Sequence, residues 1–262
     1  LEFRRVLFRS KRIDDLTIER VKVRAPFTAP NTDAIDPGPG TRFWIHDCDI
    51  DTGDDDIVIK SGGTDILIEN NTIRHGHGIS IGSETTAGVR NMLVRNCTLE
   101  GTDNGIRIKS MRGAGGVVEN IRYTNIRMKG VANPIVLQLD YVDNNRPDFK
   151  DDPAKVPTIR NIQIDQVTIE GARKSAVIHG IPDSRITNVV LRDVSITAEQ
   201  GFDLRDADEP RRERVSVIAN RLSRGNSAIS LLRNSVSVCT ALHTSLAVRP
   251  NRVGSVLIVT CG

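Results

Sequence analysis

Periodicity points to an all-β chain, a right-handed parallel β-helix: a solenoid of about seven recognisable coils. Three features carry this expectation. An eight-residue pattern recurs seven times along the 262 residues. A further short apolar run follows most copies at a near-constant distance. Asn and Asp recur in register at two places in most copies.

The octets are Leu16–Val23, Phe43–Ile50, Ile66–Ile73, Met92–Leu99, Ile121–Met128, Ile162–Ile169 and Val189–Ile196, with starts 27, 23, 26, 29, 41 and 27 residues apart. Each is apolar at its first, third, sixth and eighth positions, except that Asn71 takes the sixth place of the third copy. That is period-two alternation on either side of a break, so two short strands joined by a tight bend. The third runs are Ile57–Ile59, Ile79–Ile81, Ile106–Ile108, Ile135–Leu137, Val177–Ile178 and Phe202–Leu204, beginning 13 to 15 residues after the octet start. Three strands per coil of about 25 residues, without helical periodicity, describe a solenoid.

The residue before each octet is Asp15, Arg42, Asp65, Asn91, Asn120, Asn161 or Asn188. The fifth octet residue is Arg20, Asp47, Asn70, Asn96, Asn125, Gln166 or Asp193. Such columns suit stacked turns, because short polar side chains tolerate the left-handed conformation and bond nearby backbone. A two-layer sandwich has no reason to keep them. The 41-residue spacing holds an insertion, roughly residues 142–157, rich in Asp, Asn and Pro. Cys48 and Cys97 share the sixth octet position two coils apart, about 10 Å at the spacing of stacked strands, so they read as buried fillers without a disulfide. Cys239 and Cys261 lie near the C-terminus.

The two ends differ from the middle. Residue 1 is Leu and the first Met is Met92. Residues 1–12 read as a non-native leader, a cloning scar, with a basic arm for anionic partners as the alternative. Residues 215–262 carry five Arg and no Lys, Asp or Glu. They read as an atypical basic tail, either frameshifted or foreign sequence or a basic extension. Of the +3 net charge, the ends supply +4 and +5, leaving −6 for residues 13–214. The repeat region is acidic, so net charge gives no warrant for a nucleic-acid partner, and aromatics at 3% offer few stacking platforms for bases. No apolar run reaches the ~18 residues of a membrane span.

Four segments break the pattern: Asn31-Thr32-Asp33, Gly53-Asp54-Asp55-Asp56, Gly76-His77-Gly78 and Arg107-Ile108-Lys109. Asp33, Asp55 and His77 each lie two residues before the apolar residue that opens a third strand, so stacking puts them in one column. Arg107 and Lys109 alternate with inward Ile106 and Ile108 and point outward. Crowded carboxylates raise one another's pKa and keep one protonated, which supplies a general acid beside general bases. Asp56 reads as a solvated turn residue. His75 reads as structural. Lys60 occupies the strand position of Lys109 on an earlier coil, and an outward Lys there carries no functional signal by itself. Asp47, Asp49 and Asp51 resemble the start of a calcium loop, but Thr52 and Val58 stand where that loop needs Gly and Glu.

The four segments, in this order and at coil spacing, resemble the polygalacturonases of glycoside hydrolase family 28 in a bacterial form, over about residues 13–209. The resemblance implies hydrolysis of α-1,4-galacturonan in pectin with inversion. It makes Asp54 the general acid, Asp33 and Asp55 the activators of water, and His77 the support of the acid. Arg107 and Lys109 become ligands of the substrate carboxylate, joined by Tyr141 and Asn31 in binding. It implies no metal or other cofactor, a pectic polysaccharide as partner with no nucleic acid or membrane, a monomer, and a secreted or periplasmic location. Residues 13–214 are then a β-helix catalytic domain lacking N-terminal coils. The chain departs from the family pattern at Ala34, where Gly is usual, and at Asp56, where Cys is common. A hydrolase of rhamnogalacturonan or xylogalacturonan and a non-catalytic polysaccharide-binding β-helix are the alternatives. A calcium-dependent pectate lyase is a third, and its motifs do not match.

Overall fold

The computed structural model of the chain describes residues 8–9, 12–142 and 151–221. Among them seventeen strands join through parallel ladders into one sheet that winds from coil to coil. The octets stack on one another in register: Leu16 lies on Phe43, Phe43 on Ile66, Ile66 on Met92, Met92 on Ile121, Ile121 on Ile162, and Ile162 on Val189. The third strands stack likewise, with Ile35 on Ile57, Ile57 on Ile79, Ile79 on Ile106 and Ile106 on Ile135. This is a parallel β-helix. Its apolar columns form one continuous core from Leu16 to Phe202.

The bends follow from local stereochemistry. All fourteen residues of the two polar columns have positive φ, from 51° at Asn125 to 59° at Asp15, Arg42 and Asp65. A left-handed residue before the octet and another at its fifth position turn the chain around the core. Asn tolerates that conformation and then bonds its own column: Asn188 donates to Asn161, Asn161 to Asn120, and Asn120 to Asn91. Asn125 donates to Asn96, and Asn96 to Asn70. Arg42 instead pairs with Asp15 below it.

Cys48 and Cys97 are free and buried. Asn71 lies between them, accepting from the Cys48 N–H and donating to the Ile45 carbonyl. Cys239 and Cys261 lie outside the described residues, as does 143–150 of the insertion.

The solenoid runs beyond both expected boundaries. Phe8–Arg9 pairs with Ile35–Asp36, inside the first twelve residues. At the other end, Arg211–Arg221 stacks on Thr187–Arg205, with Val215, Ser216 and Val217 opposite Val194, Ser195 and Ile196. The coil therefore continues seven residues past 214, because the alternation of Val215–Val217 still serves an inward column. This eighth octet escapes a search for apolar positions because Pro210 and Arg212 take its first and third places. Arg212 stacks on Leu191, and its guanidinium lies 4.4 Å over the Phe202 ring. Residues 222–262 lie outside the described part.

Candidate active site

Four third strands and the turns that lead into them build the site. The backbone column expected for Asp33, Asp55 and His77 is present, since Ile35, Ile57 and Ile79 are in register. Their side chains diverge. Asp55 is buried at 1% exposure and lies under a hydroxyl and two cations: Ser80 Oγ donates to it at 2.6 Å, Lys109 Nζ at 2.9 Å, and Arg107 at 3.4 Å. Arg107 and Lys109 flank inward Ile108, and both approach the Tyr141 ring, at 5.7 and 5.5 Å from its centroid. Those two cations lie between Asp55 and the Tyr141 ring.

His77 serves Asp54 rather than its column neighbour Asp55. Its Nδ1 lies 3.2 Å from Asp54 Oδ1, and its Nε2 lies 3.6 Å from Asp103 on the next coil. The His77 backbone N–H also donates to the Asp54 carbonyl at 2.8 Å. Asp54 accepts the Asp55 N–H at 2.8 Å and the Asn31 N–H at 3.2 Å. Asn31 thus reaches the site through its backbone, held at φ 55°. Asp54 and His77 are the accessible pair, with side chains 26% and 30% exposed.

Asp33 is buried on the preceding coil and accepts from Lys60 Nζ at 2.6 Å, which also lies 3.3 Å from Asp36. Lys60 is therefore part of the cluster, against its reading as an outward lysine without function. Its register match to Lys109 was the available signal. Ser80 and Asp103 are further site residues that no motif marked. Ser80 stacks on Arg107 in the third-strand column, which is where a small polar residue between two Ile could have been noticed.

Asp56 is not a solvated turn residue. It is fully buried, accepts from the Thr52 hydroxyl at 3.0 Å and the Gly78 N–H at 2.8 Å, and so ties one turn to the next. Its own N–H donates back to the Gly78 carbonyl at 3.2 Å. His75 pairs with Asp51 at 2.8 Å and packs against Phe27.

Crowding alone does not order the acidities. Burial pushes Asp33 up, aided by the charges of Asp54 and Asp55 and opposed by Lys60. Burial pushes Asp56 well above the usual range, against the bonds from Gly78 and Thr52. Burial also works on Asp54, but His77, the Asp55 N–H and Lys109 outweigh it and hold the group at about 2. At Asp55 the Lys109 and Arg107 charges and the Ser80 hydroxyl overcome burial and leave it lowered. The expected rise falls on Asp33 and Asp56, and Asp54 is ionised in the open site.

Asp54, Asp55 and His77 bring ligand-type atoms within 4.8 Å of one another. Lys109 and Arg107 already neutralise Asp55, and a metal cation beside them would be repelled. The donor set fits proton chemistry better than metal binding.

Fold and site define a class: a parallel β-helix with buried carboxylates, an imidazole and cations gathered on one outer face. The chain belongs to glycosyl hydrolases family 28, whose model matches residues 2–209, a span that begins within the first twelve residues. It is 35% identical over 198 residues to an endo-polygalacturonase of Pectobacterium carotovorum subsp. carotovorum, covering 74% of this chain and 47% of the relative. Among solved structures it resembles a polygalacturonase from Erwinia carotovora ssp. carotovora (31% identity, TM-score 0.64, 76% of this chain and 53% of that one). It also resembles a hyperthermoactive exopolygalacturonase from Thermotoga maritima (25% identity, TM-score 0.70, 78% and 47%). The chain thus spans about half the length of the curated relatives it matches. No helix among the described residues is long and apolar enough to cross a membrane.

Proposed function

We propose that this protein hydrolyses α-1,4-galacturonosyl linkages in pectic polysaccharide with inversion at the anomeric carbon. One observation carries the reading: an accessible Asp54–His77 pair sits beside buried Asp33 and Asp55, next to the cations Arg107 and Lys109. In the proposed step, Asp54 gives a proton to the glycosidic oxygen as its bond to the anomeric carbon breaks. Water attacks the opposite face and loses its proton to the Asp33 and Asp55 carboxylates. Inversion requires a water-sized gap between acid and base, with carboxyls ~6.5–9.5 Å apart. Arg107, Lys109 and Tyr141 hold a uronate carboxylate, and Asn31 positions Asp54 through its N–H.

Asp54 must carry a proton to act as the acid, and substrate supplies two reasons for it to do so. A uronate bound to Lys109 cancels a charge that lowers Asp54, and the sugar removes water from a partly exposed carboxyl. The imidazole between Asp54 and Asp103 is placed to carry that proton. A substrate of this kind lies outside the cell, so the proposal includes secretion or export to the periplasm, action as a monomer, and no nucleic-acid or membrane partner.

Release of reducing ends from polygalacturonate, with Asp54→Asn as the control, tests the activity. The expected result is Asp54-dependent release, with product appearing first as the β-anomer by proton NMR. Binding without release supports the non-catalytic β-helix instead, and retention of configuration refutes the inverting step.

A further inference from the structure

Lys60 ends the third strand Ile57–Ile59, and the ladders place it in a column. Ile59 is in register with Ile81, and Ile81 with Ile108, so Lys60, Gly82 and Lys109 follow one another on successive coils. The two lysines of this column divide the two buried carboxylates between them. Lys109 Nζ lies 2.9 Å from Asp55, and Lys60 Nζ lies 2.6 Å from Asp33 Oδ2. The position between them carries no side chain, and a Cβ on Gly82 would meet the Lys109 carbonyl oxygen at 1.8 Å.

The partners of Lys60, not its burial, separate it from Arg107 and Lys109, whose side chains are less exposed still. Its side chain is 22% exposed, and it sits between Asp33 and Asp36, whose side chains are 6% and 4% exposed. Two buried carboxylates therefore engage it. Arg107 and Lys109, by contrast, stand over Tyr141 on the side where a uronate is proposed to bind. A salt bridge so short and so sheltered is held in geometry, and removing one partner leaves an uncompensated buried charge.

We propose that Lys60 is the positioning residue for Asp33: its ammonium anchors the carboxylate through Oδ2 as a base that accepts the proton of the attacking water. The inference rests on the hydrolase reading above for its kinetic half and on the Lys60–Asp33 geometry alone for its titration half. Four charged groups bear on Asp33. Lys60 favours its ionised form, while Asp54 and Asp55 and its own burial oppose it, and Asp36 shares the same ammonium. Lys60 is the sole cation among them. Without it, all that remains pushes the carboxyl towards its neutral, non-basic form.

The experiment compares the full chain with Lys60→Met, Lys60→Gln and Lys60→Arg, using initial rates on polygalacturonate across pH 3.5–8 and a carbon-13 titration of the Asp33 carboxyl. With Met or Gln, kcat is expected to fall about tenfold or more while KM stays within threefold, since a base contributes ~10²–10⁴ and Lys60 does not hold the sugar. The acidic limb of kcat should move up by about one pH unit, the scale expected for losing an opposite charge in contact. Lys60→Arg, which keeps the charge, should return the limb towards its original place. A raised KM with unchanged kcat would make Lys60 a substrate ligand and overturn the proposal, as would an unmoved acidic limb. The titration stands apart from turnover: the Asp33 midpoint should rise in a neutral variant and return in Lys60→Arg. An unmoved midpoint refutes the pairing whether or not the parent is active. If the parent releases no reducing ends while the midpoint moves, the hydrolase reading fails and the Lys60–Asp33 assignment stands.

Discussion

Replacing Asp56 separates two effects that a buried carboxyl combines. Asp56 is fully buried and accepts one bond on each oxygen, from Thr52 and from the Gly78 N–H of the next coil. Burial raises it well above the usual carboxyl range. A carboxyl raised on folding contributes stability that is fully present below its unfolded pKa and is lost as pH rises through its folded pKa. Each unit between the two values is worth about 1.4 kcal/mol. Asp56→Asn removes that pH-dependent loss. Its amide oxygen can still accept from Gly78, and its NH2 can turn to Thr52, whose hydroxyl can accept. Asp56→Ala removes both bonds and leaves a buried N–H unpaired, at a cost of about 1–3 kcal/mol. Urea unfolding at pH 4, 6 and 8 distinguishes them. Relative to the parent, Asp56→Asn should gain stability steadily from pH 4 to pH 8, while Asp56→Ala should be less stable than Asp56→Asn at every pH. If Asp56→Asn loses ground as pH rises, Asp56 is an ionised, favourably held carboxylate and the argument from burial is wrong.

Two further outcomes follow from backbone geometry. Gly76→Ala should destabilise the site turn and lower activity, because a Cβ there would lie 2.6 Å from the Asp54 carbonyl and from an Asp56 carboxyl oxygen, at φ 94°. A melting temperature and rate equal to the parent's would contradict this. At Asn96, held at φ 56° within the hydrogen-bonded column, Asn96→Ala should cost about 1–2 kcal/mol for the left-handed backbone alone, and Asn96→Gly distinctly less. Equal losses for the two would place the effect in the side-chain ladder instead of the backbone, and chemical denaturation measures both.

The repeat was legible because its causes are local and recur. An inward Ile and a left-handed Asn are each favoured within a few residues of chain, and seven copies make the columns visible. All fourteen bend residues adopt positive φ, the Asn and Asp by their own preference, and Arg20, Arg42 and Gln166 because the stack imposes it. The eighth octet was hidden because Pro210 and Arg212 occupy apolar places, and only stacking on Val190 to Gln200 reveals it. The site divides in the same way. Motif order brought Asp33, Asp54, Asp55, His77, Arg107, Lys109 and Tyr141 to one face. It could not say that Asp103 lies beside His77, that Lys60 holds Asp33, or that Asp56 faces inward.

Local periodicity determined the coil, its bends and the face on which the charged residues gather, because strand alternation and left-handed turns depend on near neighbours. Tertiary stacking decided which carboxylate meets which cation, and therefore which groups are raised and which lowered. Those partners lie 23 to 54 residues apart along the chain and meet across coils, as His77 meets Asp54 and Lys109 meets Asp55. Burial and charge act through space, so the acidity of each Asp in the run Asp54–Asp56 was set mainly by burial and by groups on neighbouring coils, with the run adding the Asp55 N–H at Asp54 and the Asp55 charge at Asp56.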